Sequence, residues 1–310
     1  MNLIDKIAVC SRSFSNNVVL RKELLEKYSQ VTFNDHGLSL KGDTLVEFLS
    51  GKTKAITGLE AVDEYVLSRL PKLKVIGKYG VGLDMIDMNA MRKFRVRLGW
   101  TAGVNKRSVS ELALAFAISM LRLIPRGNRE VISGVWKQQV GGTLTGKTVG
   151  IIGCGNVGKD LISLLKPFDC RILVNDIIDY SDFYRENGIR PVDLISLLKE
   201  SDVVTLHVPL DESTKMMLNA EKLGLLKSSS VLINTARGGL VDEVALKDIL
   251  KENKILGAAF DVFTIEPPLD GELLTLPNFL ATPHVGGSAY EAILAMGRSA
   301  IRGLDENEIP

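Results

Sequence analysis

The chain has little cysteine, little histidine and no surplus of charge, and each shortage removes a class of function. Its three cysteines, Cys10, Cys154 and Cys170, are odd in number and stand in no CxxC or Cys/His spacing, which argues against a disulfide framework or a zinc site. They read as reduced thiols, with no metal implied. With 38 Lys and Arg against 37 Asp and Glu, the formal charge is +1, so there is no basic field for a polyanion and no nucleic-acid partner is expected. The opening MNLIDKIAVCSRSF has no apolar stretch of leader length, and no later run is long enough to span a bilayer. A cytoplasmic protein with no membrane partner is the resulting expectation. There is also no Pro-rich linker, low-complexity tract or short repeat. What remains is 310 residues, 45% of them hydrophobic, enough for one large or two medium domains with ample cores.

Within that length, short β-branched runs alternate with helical segments. KIAVCS, QVTFND, KAITG and LKVIGKYG come early, with VVLRKELLEKY as a helix between the first two. A long apolar helix follows in SVSELALAFAISMLRLI, for which Ser108 or Ser110, with Glu111, offers a cap. A second series then begins: KTVGIIGCG, CRILVND, DVVTLHVPL, SVLINTA, ILGAAFDVF and FLATPH. This is the rhythm of parallel sheets with helices on their faces, and it implies two α/β units. The chain is expected to cross between them through helices near residues 104–122 and 285–303, so that the second unit is an insertion in the first. The many apolar positions of the first crossover helix exceed what one monomer is expected to cover, which points to a homodimer.

The strongest local signal is TVGIIGCGNVGKDLISLLKPF, where Gly153, Gly155 and Gly158 form GxGxxG between a strand and a helix. The first glycine permits a tight turn, the second lets backbone approach a pyrophosphate, and the third allows close packing of the helix. Amides at the start of that helix, at Asn156 and Val157, complete the cradle. The next strand, RILVND, ends at Asp176, whose carboxylate can accept hydrogen bonds from both hydroxyls of an adenosine ribose. No arginine follows at once to receive a 2′-phosphate, so NAD is expected in preference to NADP.

Three further segments, LINTARGGLVDEVAL, AAFDVFTIEPP and LATPHVGGSAYEA, occur together with KYGVGLDMID and the glycine motif. In order and spacing they resemble the D-2-hydroxyacid dehydrogenases over nearly the whole chain. The resemblance implies an α/β fold of two Rossmann-like domains with parallel sheets. A flavodoxin-like substrate domain would comprise 1–103 and 285–310, and an NAD-binding domain 104–284. It implies hydride transfer between a nicotinamide and a small 2-hydroxy or 2-keto acid, with Arg237, Glu266 and His284 as the catalytic residues. It also places Gly80, Val81 and Gly82 at the substrate carboxylate, and His207, Pro209, Thr235, Ala236 and Asp261 at the cofactor. Asp261 reads equally well as a buried, hydrogen-bonded structural acid.

The chemistry explains these residue types. Reducing a 2-keto acid takes a hydride to carbon and a proton to oxygen while the adjoining carboxylate is held still. An arginine offers a fixed fork of donors for that carboxylate, and a histidine can give the proton in one direction and take it in the other. A carboxylate beside the histidine favours the protonated ring and fixes its orientation, the part assigned to Glu266. Of the remaining histidines, His207 in LHVPL suits packing or cofactor contact and His36 has only a surface reading. Trp136 suits a domain-interface anchor better than a stacking platform. In TAGVN, Ala102 stands where many relatives carry proline, a change expected to alter a hinge more than the chemistry.

The GVGLD loop looks most like the phosphoglycerate dehydrogenase branch, with Lys78, Arg107 and Lys54 as candidates for a substrate phosphate. The sequence stops at Pro310, where some members of that branch append a regulatory domain. Glyoxylate, hydroxypyruvate and D-lactate reductases are the alternatives. An NAD-sensing corepressor-like protein shares the same fold and residues. An S-adenosylhomocysteine-hydrolase-like enzyme shares the NAD domain but not the ordered triad segments.

Overall fold

The β-branched runs become strands, and every ladder between them among the described residues is parallel. The computed structural model describes residues 2–310. By its backbone contacts the chain divides into two units, Met1–Asn105 with Ala289–Pro310, and Lys106–Ser288.

In the first unit, β1 (Asn2–Val9), β2 (Tyr28–Phe33), β3 (Lys54–Thr57), β4 (Val75–Lys78) and β5 (Arg97–Gly99) form a sheet in the order β2-β1-β3-β4-β5. One face packs on Leu45, Leu49, Val66 and Met91, the other on Phe14, Leu20, Leu24 and Ile301. Burial of each such aliphatic or aromatic side chain contributes roughly 1.5–3 kcal/mol. The helix Tyr290–Gly303 brings the chain back to this unit and lies directly on β4 and β5. Two glycines make that approach possible: a Cβ on Gly99 would stand 2.0 Å from the Gly303 carbonyl oxygen, and one on Gly77 2.4 Å from that of Ala300.

In the second unit, β6 (Thr148–Ile152), β7 (Arg171–Asn175), β8 (Arg190–Pro191), β9 (Val203–Leu206), β10 (Val231–Asn234), β11 (Gly257–Phe260) and β12 (Phe279–Ala281) are ordered β12-β11-β10-β9-β6-β7-β8. The order reverses at β6, between β9 and β7, so a crevice opens at the carboxyl end of β6, where open α/β sheets bind their ligands.

The helix Lys106–Leu121 departs from its sequence reading in two ways. It starts at Lys106, so Ser108 and Ser110 lie inside it and cap nothing. Their hydroxyls bond elsewhere: Ser108 Oγ donates to the Gly286 carbonyl at 2.6 Å and Ser110 Oγ to Asp160 at 2.5 Å. Most of its apolar residues are also covered within its own unit: Val109, Ala113, Phe116, Ala117, Met120 and Leu121 are buried, while Leu112, Leu114 and Ile118 are half-buried beside the core. Less of its apolar surface is thus left for a second copy than its composition suggested. Uncovered apolar side chains occur just beyond it, at Ile132, Trp136 and Val140, which are 77%, 87% and 96% exposed. No single helix among the described residues is long and apolar enough to cross a membrane.

Candidate active site

At the carboxyl end of β6 the three glycines divide their work. Gly153 has φ +98°, and a Cβ there would meet the His207 carbonyl at 2.7 Å; a Cβ on Gly158 would stand 2.2 Å from the Gly153 oxygen. Both positions need glycine so that the helix Asn156–Leu165 can abut the strand. At Gly155 an added Cβ would meet nothing within 4 Å, so open space lies where a pyrophosphate would approach the amides of the helix start. Asp176 closes the turn: its Oδ2 accepts from the Cys154 amide at 2.5 Å and its Oδ1 from the Ile178 amide at 2.8 Å. Each oxygen keeps lone-pair capacity for a hydroxyl donor.

His207 follows β9, with Nε2 3.0 Å from Thr205 Oγ1. Burial pushes its pKa down to about 4, so the ring is neutral at physiological pH and serves as a packing and hydrogen-bonding group. At the end of β10, Thr235 Oγ1 is a buried hydroxyl without a partner among the described residues, a group that a bound molecule can satisfy. The open space at Gly155, the anchored Asp176 and this orphaned hydroxyl all fit a dinucleotide.

Arg237 stands on the turn after β10. Asn234, buried at the strand end, shapes that turn by accepting from the Ala236 amide at 3.1 Å and donating to the Arg237 carbonyl at 2.8 Å. The Arg237 guanidinium donates back to the Ala236 carbonyl at 2.7 Å. Gly238 then lies flat on the next loop, since a Cβ there would fall 2.0 Å from the Phe263 carbonyl carbon. That loop carries Glu266, whose Oε1 accepts from the Phe263 amide at 3.1 Å and whose Oε2 lies 2.8 Å from His284 Nδ1. A carboxylate only accepts, so Nδ1 carries the hydrogen and Nε2 is the nitrogen left to exchange a proton. Both side chains face solvent, at 51% for His284 and 38% for Glu266.

His284 has φ +54°, a left-handed conformation uncommon for a non-glycine residue. Asp261 holds it there. The Asp261 carbonyl accepts from the His284 amide at 2.9 Å. Its carboxylate takes Thr282 Oγ1 at 2.5 Å and the amides of Val285 and Gly286 at 2.7 Å each. With 1% exposure and these donors in place, Asp261 is the buried structural acid. Asn234 and Thr282 escaped the sequence reading; a polar residue closing each apolar strand was the available signal.

In the other unit, the loop after β4 has Gly80 at φ +126°, and Trp100 Nε1 donates to the Val81 carbonyl at 3.0 Å. Among the described residues the amides of Gly80, Val81 and Gly82 donate to no acceptor. The basic candidates are otherwise engaged. Lys54 pairs with Asp5 at 3.0 Å and Asp305 at 3.2 Å, and Arg107 with Asp160 at 2.9 Å. Lys78 is buried and donates to the Gly58 carbonyl. His36 is exposed.

The family model of the D-isomer specific 2-hydroxyacid dehydrogenase NAD-binding domain matches residues 114–286. The chain belongs to the D-isomer specific 2-hydroxyacid dehydrogenases. It is 35% identical over 302 residues to a glyoxylate reductase of Pyrococcus furiosus, covering 94% of this chain and 84% of that enzyme. It is 40% identical over 235 residues to a D-3-phosphoglycerate dehydrogenase of Methanocaldococcus jannaschii, a match spanning 75% of this chain and 45% of that enzyme. A solved structure from Polaromonas sp. JS6 66, assigned to the D-isomer specific 2-hydroxyacid dehydrogenases, superposes with a TM-score of 0.89 at 27% identity, covering 97% of this chain and 96% of that one. This dehydrogenase is therefore an NAD-dependent oxidoreductase acting on a CH–OH group.

The His207 environment makes a pH-dependent prediction for the dehydrogenase. Its folded pKa, about 4, lies below the ordinary value of 6.5, so between those pH values the unfolded chain binds a proton that the folded one refuses. Stability supplied by the neutral ring is complete above about pH 6.5 and falls as pH drops toward 4. Urea midpoints measured from pH 8 to pH 4.5 should show this fall, and His207→Gln should flatten it. An unchanged slope in the variant would contradict the assignment.

Proposed function

We propose that this dehydrogenase reduces a short, unphosphorylated 2-keto acid, of the glyoxylate or hydroxypyruvate kind, to the D-2-hydroxy acid, with Arg237, Glu266 and His284 as its catalytic residues. The observation that carries the reading is the 2.8 Å pair between His284 Nδ1 and Glu266 Oε2. NAD, when bound, supplies or accepts the hydride. The His284 Nε2 gives its proton to the carbonyl oxygen in reduction and recovers one in oxidation, while Glu266 holds the ring in the required tautomer. The Arg237 fork holds the carboxylate and polarises the neighbouring carbonyl.

The Lys106–Ser288 unit takes the cofactor. Gly155 and the amides of Asn156 and Val157 would hold the pyrophosphate, and Asp176 would receive the ribose hydroxyls. His207, Pro209, Thr235 and Ala236 would line the nicotinamide side. The unit of Met1–Asn105 and Ala289–Pro310 takes the substrate role on its own three amides, at Gly80, Val81 and Gly82, which together suit an anion.

An unphosphorylated acid is favoured because Lys54 and Arg107 already answer carboxylates and Lys78 is buried on a backbone carbonyl. The phosphoglycerate reading stands second, supported by the 40% identity to the Methanocaldococcus jannaschii enzyme. A homodimer is proposed on a different surface from the one the sequence suggested. Ile132, Trp136 and Val140 form the apolar ground that a second copy would cover.

A panel of glyoxylate, hydroxypyruvate, phosphohydroxypyruvate and pyruvate with NADH should give the highest kcat/KM on an unphosphorylated acid. Arg237→Lys should lower that value by about 10-fold or more, chiefly by raising KM, because a point charge replaces a fixed fork. Preference for phosphohydroxypyruvate would restore the second reading, and no turnover with any acid would favour an NAD-sensing protein. Sedimentation at micromolar concentration should give a species of twice the 33.9 kDa chain mass, and a monomer alone would contradict the dimer.

A further inference from the structure

Glu266 sits on a stretch of the loop, residues 264–267, that is exposed and so is not shaped by burial. Two bonds to one carboxylate supply the missing constraint. Glu243 Oε1 accepts from the Thr264 amide at 2.7 Å and from Thr264 Oγ1 at 2.8 Å. Glu243 is the first residue of the helix Glu243–Lys251, which is capped by Asp242 and anchored in the core through Leu246, Ile249 and Leu250. The same short segment begins with Arg237 and Gly238, and Gly238 lies against the backbone of Phe263 and Thr264. One piece of chain, 237–243, thus carries the arginine and grips the glutamate's loop at two points.

We propose that Glu243 is a positioning residue that acts through Thr264, keeping Glu266 in register with His284. The inference rests on the proposed acid–base role of Glu266 and His284. The bonds of the Glu243 carboxylate are to Thr264, so it acts through that residue. Without its carboxylate, two donors at Thr264 turn to water, the exposed loop gains alternative conformations, and Glu266 spends less time on Nδ1. The loss falls on turnover and leaves the glycine cradle around Gly153–Gly158 intact.

The test compares Glu243→Ala, Glu243→Gln, Thr264→Val and Thr264→Ser in kcat, KM, pH profile of kcat and NADH affinity. Glu243→Ala should lower kcat about 10-fold or more, a loss of roughly 1.4 kcal/mol in transition-state stabilisation, with NADH affinity within twofold of the parent. Glu243→Gln keeps an acceptor oxygen and should recover most of the rate; Thr264→Ser should match the parent and Thr264→Val should not. Added to Glu266→Gln, the Glu243→Ala change should cost little more, because both act through the same pair. Parent-like kcat and pH profile in Glu243→Ala would overturn the inference. Equal losses of kcat and NADH affinity, or full additivity with Glu266→Gln, would also do so by making Glu243 merely structural. His284→Ala, measured alongside, separates the two levels: if it too turns over like the parent, the acid–base reading itself has failed.

Discussion

The buried carboxylate of Asp261 is the constraint on which the proposed acid–base pair depends. His284 must hold a left-handed backbone conformation, which costs a non-glycine residue about 1–2 kcal/mol. Against that cost stand one side-chain hydroxyl and two backbone amides, all donating to Asp261 at 2.5–2.7 Å. Hydrogen bonds to a charged acceptor contribute roughly 1.5–3 kcal/mol each, so the latch outweighs the strain. The imidazole itself can therefore remain exposed and reach its partners without burial to position it. The same logic governs Glu266, whose loop is gripped by Gly238 and Glu243 rather than enclosed by apolar side chains.

The cofactor end is built on a different economy, close approach of backbone to backbone. Gly153 and Gly158 draw helix and strand together, and Gly155 leaves the remaining space empty. Asp176 spans the turn by taking the Cys154 amide, so the carboxylate proposed to receive the ribose also fixes the glycine loop. A substitution there would disturb both contacts at once.

Much of this was legible in the sequence because the signals were local. The GxGxxG lay in one strand–turn–helix segment, and the βα alternation returned the long strands and the parallel fold. The strands Arg97–Gly99 and Arg190–Pro191 were missed because each opens on an arginine and lacks the apolar run that marks the equally short Phe279–Ala281. Ser108 and Ser110 resembled caps because a hydroxyl before an apolar helix commonly is one; their partners, Gly286 and Asp160, lie 178 and 50 residues away. Distance in sequence also hid the role of Glu243, whose bonds from Thr264 close only in the folded unit. The apolar Lys106–Leu121 helix suggested an oligomer because composition measures how much apolar surface exists, not how much of it the same chain covers.

The central claim is that His284 moves a proton and does not merely pack. Single-turnover oxidation of bound NADH by the preferred 2-keto acid, followed by stopped-flow absorbance in the parent and in His284→Ala, tests it most directly when paired with NADH titrations. The account predicts hydride transfer slowed about 10²–10⁴-fold, the usual contribution of a positioned acid–base group, with NADH affinity unchanged. A parent-like transfer rate in the folded variant would contradict it.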